Sequence, residues 1–229
     1  MIRAVVFDLD GVLLDSERLW DQARREVAIA HNGHWRAGAT AAMLGMSSVE
    51  WSEYMRDILG VDLAPDRIVD LVVANLLGQY RRGLPLIPGA VAAVRRIGRR
   101  WPLALASSAG RPVIDAVLAI SGLRREFQVT VSSEEVPRGK PAPDVYLEAA
   151  RRLGQPPRAC AAVEDSANGI RSALAAGLRV VAVPNPDYPP PASVLAEAHV
   201  VIRGLAELTG ELVEQLDEDG QTQDETAAH

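Results

Sequence analysis

Apolar and polar positions along the chain fall into two textures. The opening run from Ile2 to Phe7, rich in β-branched residues, reads as a buried parallel strand, and it stops abruptly at Asp8, Asp10 and Gly11. From Asp15 to about Leu86 the apolar residues then recur at helical spacing. Ser16 is a predicted N-cap for a helix carrying Leu19, Trp20, Ala23, Val27 and Ala30 and closing near Gly33. A second helical stretch covers Ala37 to Leu44. Ser47 and Glu50 have the spacing of a capping box that opens a helix toward Gly60. Pro65-Asp66 starts a fourth helix, whose apolar side carries Ile68, Val72 and Leu76 and which ends near Gly83.

After Pro88 the pattern alternates. Helical periods at Gly89–Arg100, Pro112–Ser121, Pro143–Leu153 and Ser166–Ala176 are interleaved with short apolar runs. Those runs lie at 103–106, 127–131, 159–163 and 178–183, with an edge strand at 200–202. Alternation of this kind predicts an α/β fold, a doubly wound, Rossmann-like parallel sheet with helices on both faces. The helical block then becomes a small all-helical cap inserted after the first strand. The predicted division is a core of residues 1–15 and 86–216, a cap of 16–85 and a disordered acidic tail of 217–229. Pro184 to Pro191 is expected to be a rigid loop at a strand end.

Composition narrows the function classes. A length of 229 residues with 48% hydrophobic side chains suits one domain with an insert, and a net charge of −6 argues against a nucleic-acid footprint. The basic pairs Arg95-Arg96, Arg99-Arg100 and Arg151-Arg152 are expected to be solvated helix faces. The single cysteine, Cys160, rules out a disulfide framework or a CxxC motif and is expected to be a buried thiol. No apolar run is long enough to cross a bilayer, and no leader precedes the first strand, so a soluble, unprocessed protein is expected; with one cysteine a reducing cytoplasm is the simplest compartment, and a monomer is the default.

Four polar clusters follow four apolar strands: Asp8/Asp10, Ser107/Ser108, Lys140 in Arg138-Gly139-Lys140-Pro141, and Glu164/Asp165. Parallel strands bring their carboxyl ends to one edge, so these clusters can converge. Two carboxylates 4 Å apart repel by about 4 kcal/mol at an effective dielectric near 20, so the Asp8/Asp10 pair needs a cation, a shared proton or a different geometry. A plain surface turn is the alternative. Asp8, Asp10 and Asp165 are hard oxygen ligands suited to Mg²⁺ rather than zinc, while Lys140 and the Ser107 hydroxyl suit a phosphoryl group. In such a site Asp8 serves as nucleophile and forms an aspartyl phosphate, and Asp10 protonates the leaving alcohol and later deprotonates water.

Asp8-Leu9-Asp10-Gly11-Val12, Ser107 after its strand, Gly139-Lys140-Pro141-Ala142-Pro143-Asp144 and Val163-Glu164-Asp165-Ser166-Ala167-Asn168-Gly169-Ile170 resemble, in order, the four motifs of the haloacid-dehalogenase-like superfamily. The resemblance runs from residue 1 to about 210. The helical insert is similar to the cap of the branch holding sugar-phosphate phosphatases, phosphoglycolate phosphatases and β-phosphoglucomutase, and Leu13 to Trp20 is similar to the hexose and hexitol phosphate phosphatases. The resemblance implies Asp8 as nucleophile and Asp10 as acid and base. It places Leu9, Ser107, Ser108 and Lys140 on phosphate, and Mg²⁺ on Asp8, the Asp10 carbonyl and Asp165. Glu164 stands behind them or is an occasional ligand.

A Mg²⁺-dependent phosphatase acting on a small phosphorylated metabolite, a sugar or polyol phosphate, is the leading expectation. A phosphomutase is the first alternative, although the positions where mutases keep a cap histidine and basic residues correspond to Trp20, Ser48 and Leu76 here. A catalytically silent phosphometabolite- or protein-binding member is the second. Trp20 and Trp51 are expected to pack the cap, Arg111 to lie at a helix start, and Gly45 to Ser48 to form a loop dipping toward the site. Asn168 is open between a surface role and orienting Glu164 and Asp165.

Overall fold

The computed structural model describes residues 1–43 and 45–216; the sequence-predicted tail at 217–229 lies outside the described residues. Six strands form one parallel sheet: β1 (Ala4–Phe7), β2 (Leu103–Ser107), β3 (Phe127–Ser132), β4 (Cys160–Glu164), β5 (Arg179–Ala182) and β6 (Val200–Val201). Their spatial order is β3-β2-β1-β4-β5-β6, so the strand order reverses at β1. Phe7 sits between Leu105 of β2 and Val163 of β4, which brings the carboxyl ends of these strands level.

Alternation along each strand divides the core in two. On one face Val5, Phe7, Leu103, Leu105 and Val163 meet the larger apolar cluster, shared with the helical insert. On the other, Ala4, Val6, Ala104, Ala106 and Ala162 leave little bulk between the sheet and helices α7 (Asp144–Arg152) and α8 (Ala167–Ala175). Small side chains there let α7 and α8 lie close to the sheet, and the loops bearing Lys140 and Asp165 adjoin those helices.

Among the described residues, the segment between β1 and β2 holds five helices: α1 (Glu17–Ala30), α2 (Ala39–Met43), α3 (Ser48–Asp57), α4 (Pro65–Arg82) and α5 (Ala90–Gly98). The first four form the insert. The capping box is present on α3, with Ser47 accepting from the Glu50 N–H and Glu50 from the Ser47 N–H. Pro65 occupies the first turn of α4, as expected where no N–H is needed. At the two crossings between insert and core, the Asp15 N–H donates to the Pro85 carbonyl (2.9 Å) and the Ile87 N–H to the Leu13 carbonyl (2.9 Å).

Ser16 departs from its expected role. It precedes α1 but has helical φ and ψ and makes no side-chain capping bond. Its hydroxyl is committed to Asp10, described below. Among the described residues three further α-helices follow, α6 (Arg111–Ile120), α9 (Ala192–Leu195) and α10 (Gly210–Gln215). The last two have no counterpart in the sequence pattern, being too short for a helical period to show. No helix of the described residues is long and apolar enough to cross a membrane.

Candidate active site

The strand-order reversal at β1 opens a crevice at the strands' carboxyl ends, where open α/β sheets bind ligands. Asp8 follows β1, and its N–H donates to the Val163 carbonyl at 3.0 Å, which ties it to the end of β4. Next to it, Gly11 turns the chain with φ +81°, and a Cβ there would lie 1.8 Å from the Asp165 Oδ2. Only glycine leaves room for Asp165 beside β1.

Lys140 comes from the loop before α7 and is buried. Its Nζ donates to Asp8 Oδ1 (2.6 Å), Glu164 Oε1 (2.6 Å) and the Ala106 carbonyl (3.1 Å), so all three ammonium protons are used. The loop is pinned by Ser172, which donates to the Ala142 carbonyl at 2.6 Å, and by the Arg138–Asp144 ion pair. Glu164 is wholly buried, and both its oxygens are engaged. Oε1 also accepts from the Tyr146 hydroxyl (2.7 Å), while Oε2 accepts from the Asp165 N–H (3.0 Å) and from the Ser166 N–H and hydroxyl. A Cβ at Gly169 would fall 1.9 Å from the Glu164 carboxyl carbon, so the first turn of α8 also requires glycine to seat it.

Carboxylate oxygens of Asp8, Glu164 and Asp165 lie within 4.8 Å of one another, all buried. Three acids face one lysine, and burial multiplies their mutual repulsion. Burial pushes the Asp8 carboxyl well above the usual carboxylate range, against the pull of Lys140, and the charges of Glu164 and Asp10 add to the rise. Asp165 is raised in the same way, by burial and then by Glu164 and Asp8. Burial works against the Lys140 charge, but Asp8 and Glu164 outweigh it and hold the ammonium protonated. The donor set is all hard oxygen with an excess of negative charge, which fits a divalent cation.

The Asp10 carboxylate stands apart from this group and faces the insert. Its Oδ1 accepts from the Ser16 hydroxyl (2.5 Å) and the Trp20 Nε1–H (3.1 Å). Burial raises its proton affinity, and these two hydrogen bonds oppose the rise. A carboxyl that keeps its proton more readily than usual, fixed by two donors from the insert, is suited to give that proton to a leaving group.

A pocket of about 250 Å³ joins these parts, lined by Asp8, Asp10, Ser108, Lys140 and Asp165 from the core, with Glu17 and Gly45 from the insert. Asn168 and the Tyr188–Pro191 stretch complete its wall. Ser107 and Leu9 are not on that wall. Ser107 is fully buried and its hydroxyl accepts from the Ala109 N–H (3.0 Å), while Leu9 buries its side chain in the core and has only its main chain to offer a ligand. Arg111 is tied to Glu135 and Thr130. The insert loop meets the core at Gly45, whose carbonyl accepts from Ser108 Oγ (3.4 Å) and whose Cα faces Asn168.

Sequence reasoning missed Ser16 and Trp20 as partners of Asp10, Tyr146 as a partner of Glu164, and the Tyr188–Pro191 wall. The proline-rich segment after β5 was the only signal for the last.

A family model described as haloacid dehalogenase-like hydrolase matches residues 2–177. Hexitol phosphatase B of Escherichia coli is 35% identical over 226 residues, 91% of this chain and 95% of its own. The fructose-1-phosphate phosphatase YqaB of the same organism is 31% identical over 182 residues, 78% of this chain and 95% of its own. In fold, β-phosphoglucomutase from Clostridium difficile superposes with a TM-score of 0.84 at 21% identity, covering 97% of this chain and all of that one. The chain therefore belongs to the haloacid dehalogenase-like hydrolases.

Proposed function

We propose that this enzyme is a Mg²⁺-dependent phosphatase that hydrolyses a small phosphorylated sugar or polyol through an aspartyl phosphate on Asp8. The observation that carries the reading is the buried meeting of Asp8, Glu164 and Asp165 with Lys140 on the floor of a pocket whose other side presents Asp10. The names of the matched relatives, a hexitol phosphatase and a fructose-1-phosphate phosphatase, support the substrate class. The residues 1–15 and 86–216 then act as the catalytic core and 16–85 as a cap over it.

Asp8 attacks phosphorus, and the new bond to its carboxylate oxygen forms as the bond to the substrate oxygen breaks. Asp10 delivers its proton to the departing alkoxide, releasing the alcohol. Water then attacks the phosphorus while Asp10 takes up its proton, and cleavage of the bond to Asp8 frees inorganic phosphate and restores both carboxyls. Lys140 keeps the Asp8 carboxylate oriented and offsets its charge toward an anionic ester; the Ser108 hydroxyl and main-chain N–H serve the phosphoryl oxygens. Mg²⁺ held by Asp8, Asp165 and the Asp10 carbonyl supplies further charge neutralisation when bound. Glu164, saturated by Lys140, Tyr146 and the β4–α8 turn, acts as the counter-charge that positions Lys140.

The mutase alternative finds no support at the three cap positions that correspond to a mutase's histidine and basic residues. Leu76 is fully buried, Ser48 is buried at the start of α3, and the Trp20 N–H is spent on Asp10. A phosphate-release screen over sugar phosphates, polyol phosphates, phosphoglycolate and nucleoside monophosphates, run with and without Mg²⁺ beside Asp8→Asn, tests the reading. Release from sugar or polyol esters, abolished by EDTA and by Asp8→Asn, is expected. Release from none of them would overturn it in favour of a silent binding protein.

A further inference from the structure

The cap holds a buried positive charge that takes no direct part in the hydrolytic steps, although its field opposes the raised proton affinity of Asp10. Arg24 lies on α1, one turn beyond Trp20, and is 6% exposed. Its guanidinium carbon is 5.1 Å from the Trp20 ring centroid and 5.3 Å from that of Trp51, so the cation is lodged against two indole faces. Its Nε–H is buried with no hydrogen-bond partner among the described residues. A buried donor left unmatched is costly, and such groups in native proteins call for an explanation.

The same side chain also lines a recess of about 50 Å³. Arg24, Trp20, Trp51, Ser48, Glu17 and Asp10 line it, and it shares Asp10, Glu17, Gly45 and Ser108 with the main pocket. It therefore adjoins the catalytic crevice on the side of Asp10, where the alcohol departs. Space of this size accepts one or two hydroxyl-bearing carbons. Its charge selects among candidate groups. A second phosphate or a carboxylate entering here would meet Arg24 but also Glu17 and Asp10. A neutral hydroxyl finds a donor in Arg24 and an acceptor in Glu17, with aromatic walls for the carbon chain.

Resting on the phosphatase reading, we propose that Arg24 is a specificity-determining residue that donates a hydrogen bond to a distal hydroxyl of a neutral polyol or sugar leaving group. Substrates that end in a hydroxylated chain offer the guanidinium an acceptor without adding negative charge beside Glu17 and Asp10, whereas a bare alkyl chain offers it none.

The test compares kcat/KM for sorbitol 6-phosphate and for ethyl phosphate in the wild-type enzyme, Arg24→Gln and Arg24→Lys, with circular dichroism to confirm folding. Arg24→Gln is expected to lower the ratio of the two by about 30-fold, mainly through KM for the polyol ester, with Arg24→Lys in between. Equal losses on both esters would show that Arg24 merely supports the cap or Asp10, and no loss on either would show no role; either overturns the proposal. If the variants do not fold, deoxy analogues of sorbitol 6-phosphate on the wild-type enzyme decide. One distal deoxy position must cost at least 10-fold, and uniform turnover of all analogues overturns the proposal. Phosphate release from none of the screened esters by wild-type enzyme would sink the phosphatase reading and this proposal with it, whereas release from sorbitol 6-phosphate and ethyl phosphate without discrimination would sink Arg24 alone.

Discussion

Gly11 and Asp165, from opposite halves of the chain, pack so closely that a methyl group on one would overlap the carboxylate of the other at 1.8 Å. Gly11 also holds φ at +81°, a conformation that costs other residues about 1–2 kcal/mol. Gly11→Ala is therefore expected to displace Asp165 and lower kcat/KM by about 100-fold or more. The same variant should weaken Mg²⁺ binding measured by calorimetry. Wild-type metal affinity in Gly11→Ala would contradict the role given to Asp165.

Lys140 is the only cation hydrogen-bonded to Asp8 and Glu164 among the described residues, and all three side chains are buried. Lys140→Met strands two acids in the interior, and removal of one partner from such a cluster costs about 3–5 kcal/mol. A clear drop in the urea midpoint is expected. Asp8→Asn, in contrast, relieves crowding among the carboxylates, so it should keep or raise the midpoint while cutting phosphate release by more than about 10⁴-fold.

Glu17 is raised from the ordinary 4.5 to about 7, chiefly by burial and then by the charge of Asp10. The folded protein thus keeps a proton that the unfolded chain releases between those two values. Stability falls as pH rises across that window, and the loss is complete above about 7, amounting to about 2 kcal/mol for this partly exposed side chain. Glu17→Gln should remove that slope, unfolding at higher urea than wild type at pH 8 and at a similar concentration at pH 4.5. Parallel stability profiles for the two proteins would refute the assignment.

Arg18 at the start of α1 pairs with Asp187 in the proline-rich stretch at 2.7 Å, with side chains 73% and 48% exposed. So exposed a pair adds little stability and is screened by salt. Its position is more telling, because it straps the cap to the loop whose Tyr188–Pro191 portion walls the pocket. Asp187→Asn should leave the thermal midpoint within about 2 °C while raising KM roughly two- to five-fold, and 0.5 M NaCl should have the same effect on wild type. A KM that responds to neither change would leave the strap without a function.

The strands, the capping box and the four polar clusters were all legible in the sequence, because burial on both faces and strand-end position leave local marks. Apolar runs terminating in Asp8, Ser107 and Glu164 announced the sheet's carboxyl edge directly. What escaped were contacts across the cap–core boundary. Ser16 has the residue type and position of an N-cap, yet the nearness of Asp10 draws its hydroxyl away. Trp20 fits the apolar stripe of α1 and does pack against Trp51, but only tertiary placement turns its N–H to Asp10. Ser107 and Ser108 are adjacent and identical in type, and no spacing rule tells which faces the pocket. Arg24 sits in a helix rich in charge, where nothing in the periodicity separates a buried guanidinium from a solvated one.

Threading β1 between β2 and β4 bears on how the enzyme comes into being on the ribosome. Asp8 and Asp10 emerge first, the insert and β2 follow, and Glu164 and Asp165 arrive only when β4 slots in beside them. A nascent or truncated chain ending before Cys160 carries Asp8 and Asp10 but has neither Glu164 to steady Lys140 nor Asp165 to share a cation. Hydrolysis is thus withheld from unfinished molecules, and an N-terminal fragment of that length should release no phosphate however much Mg²⁺ is supplied.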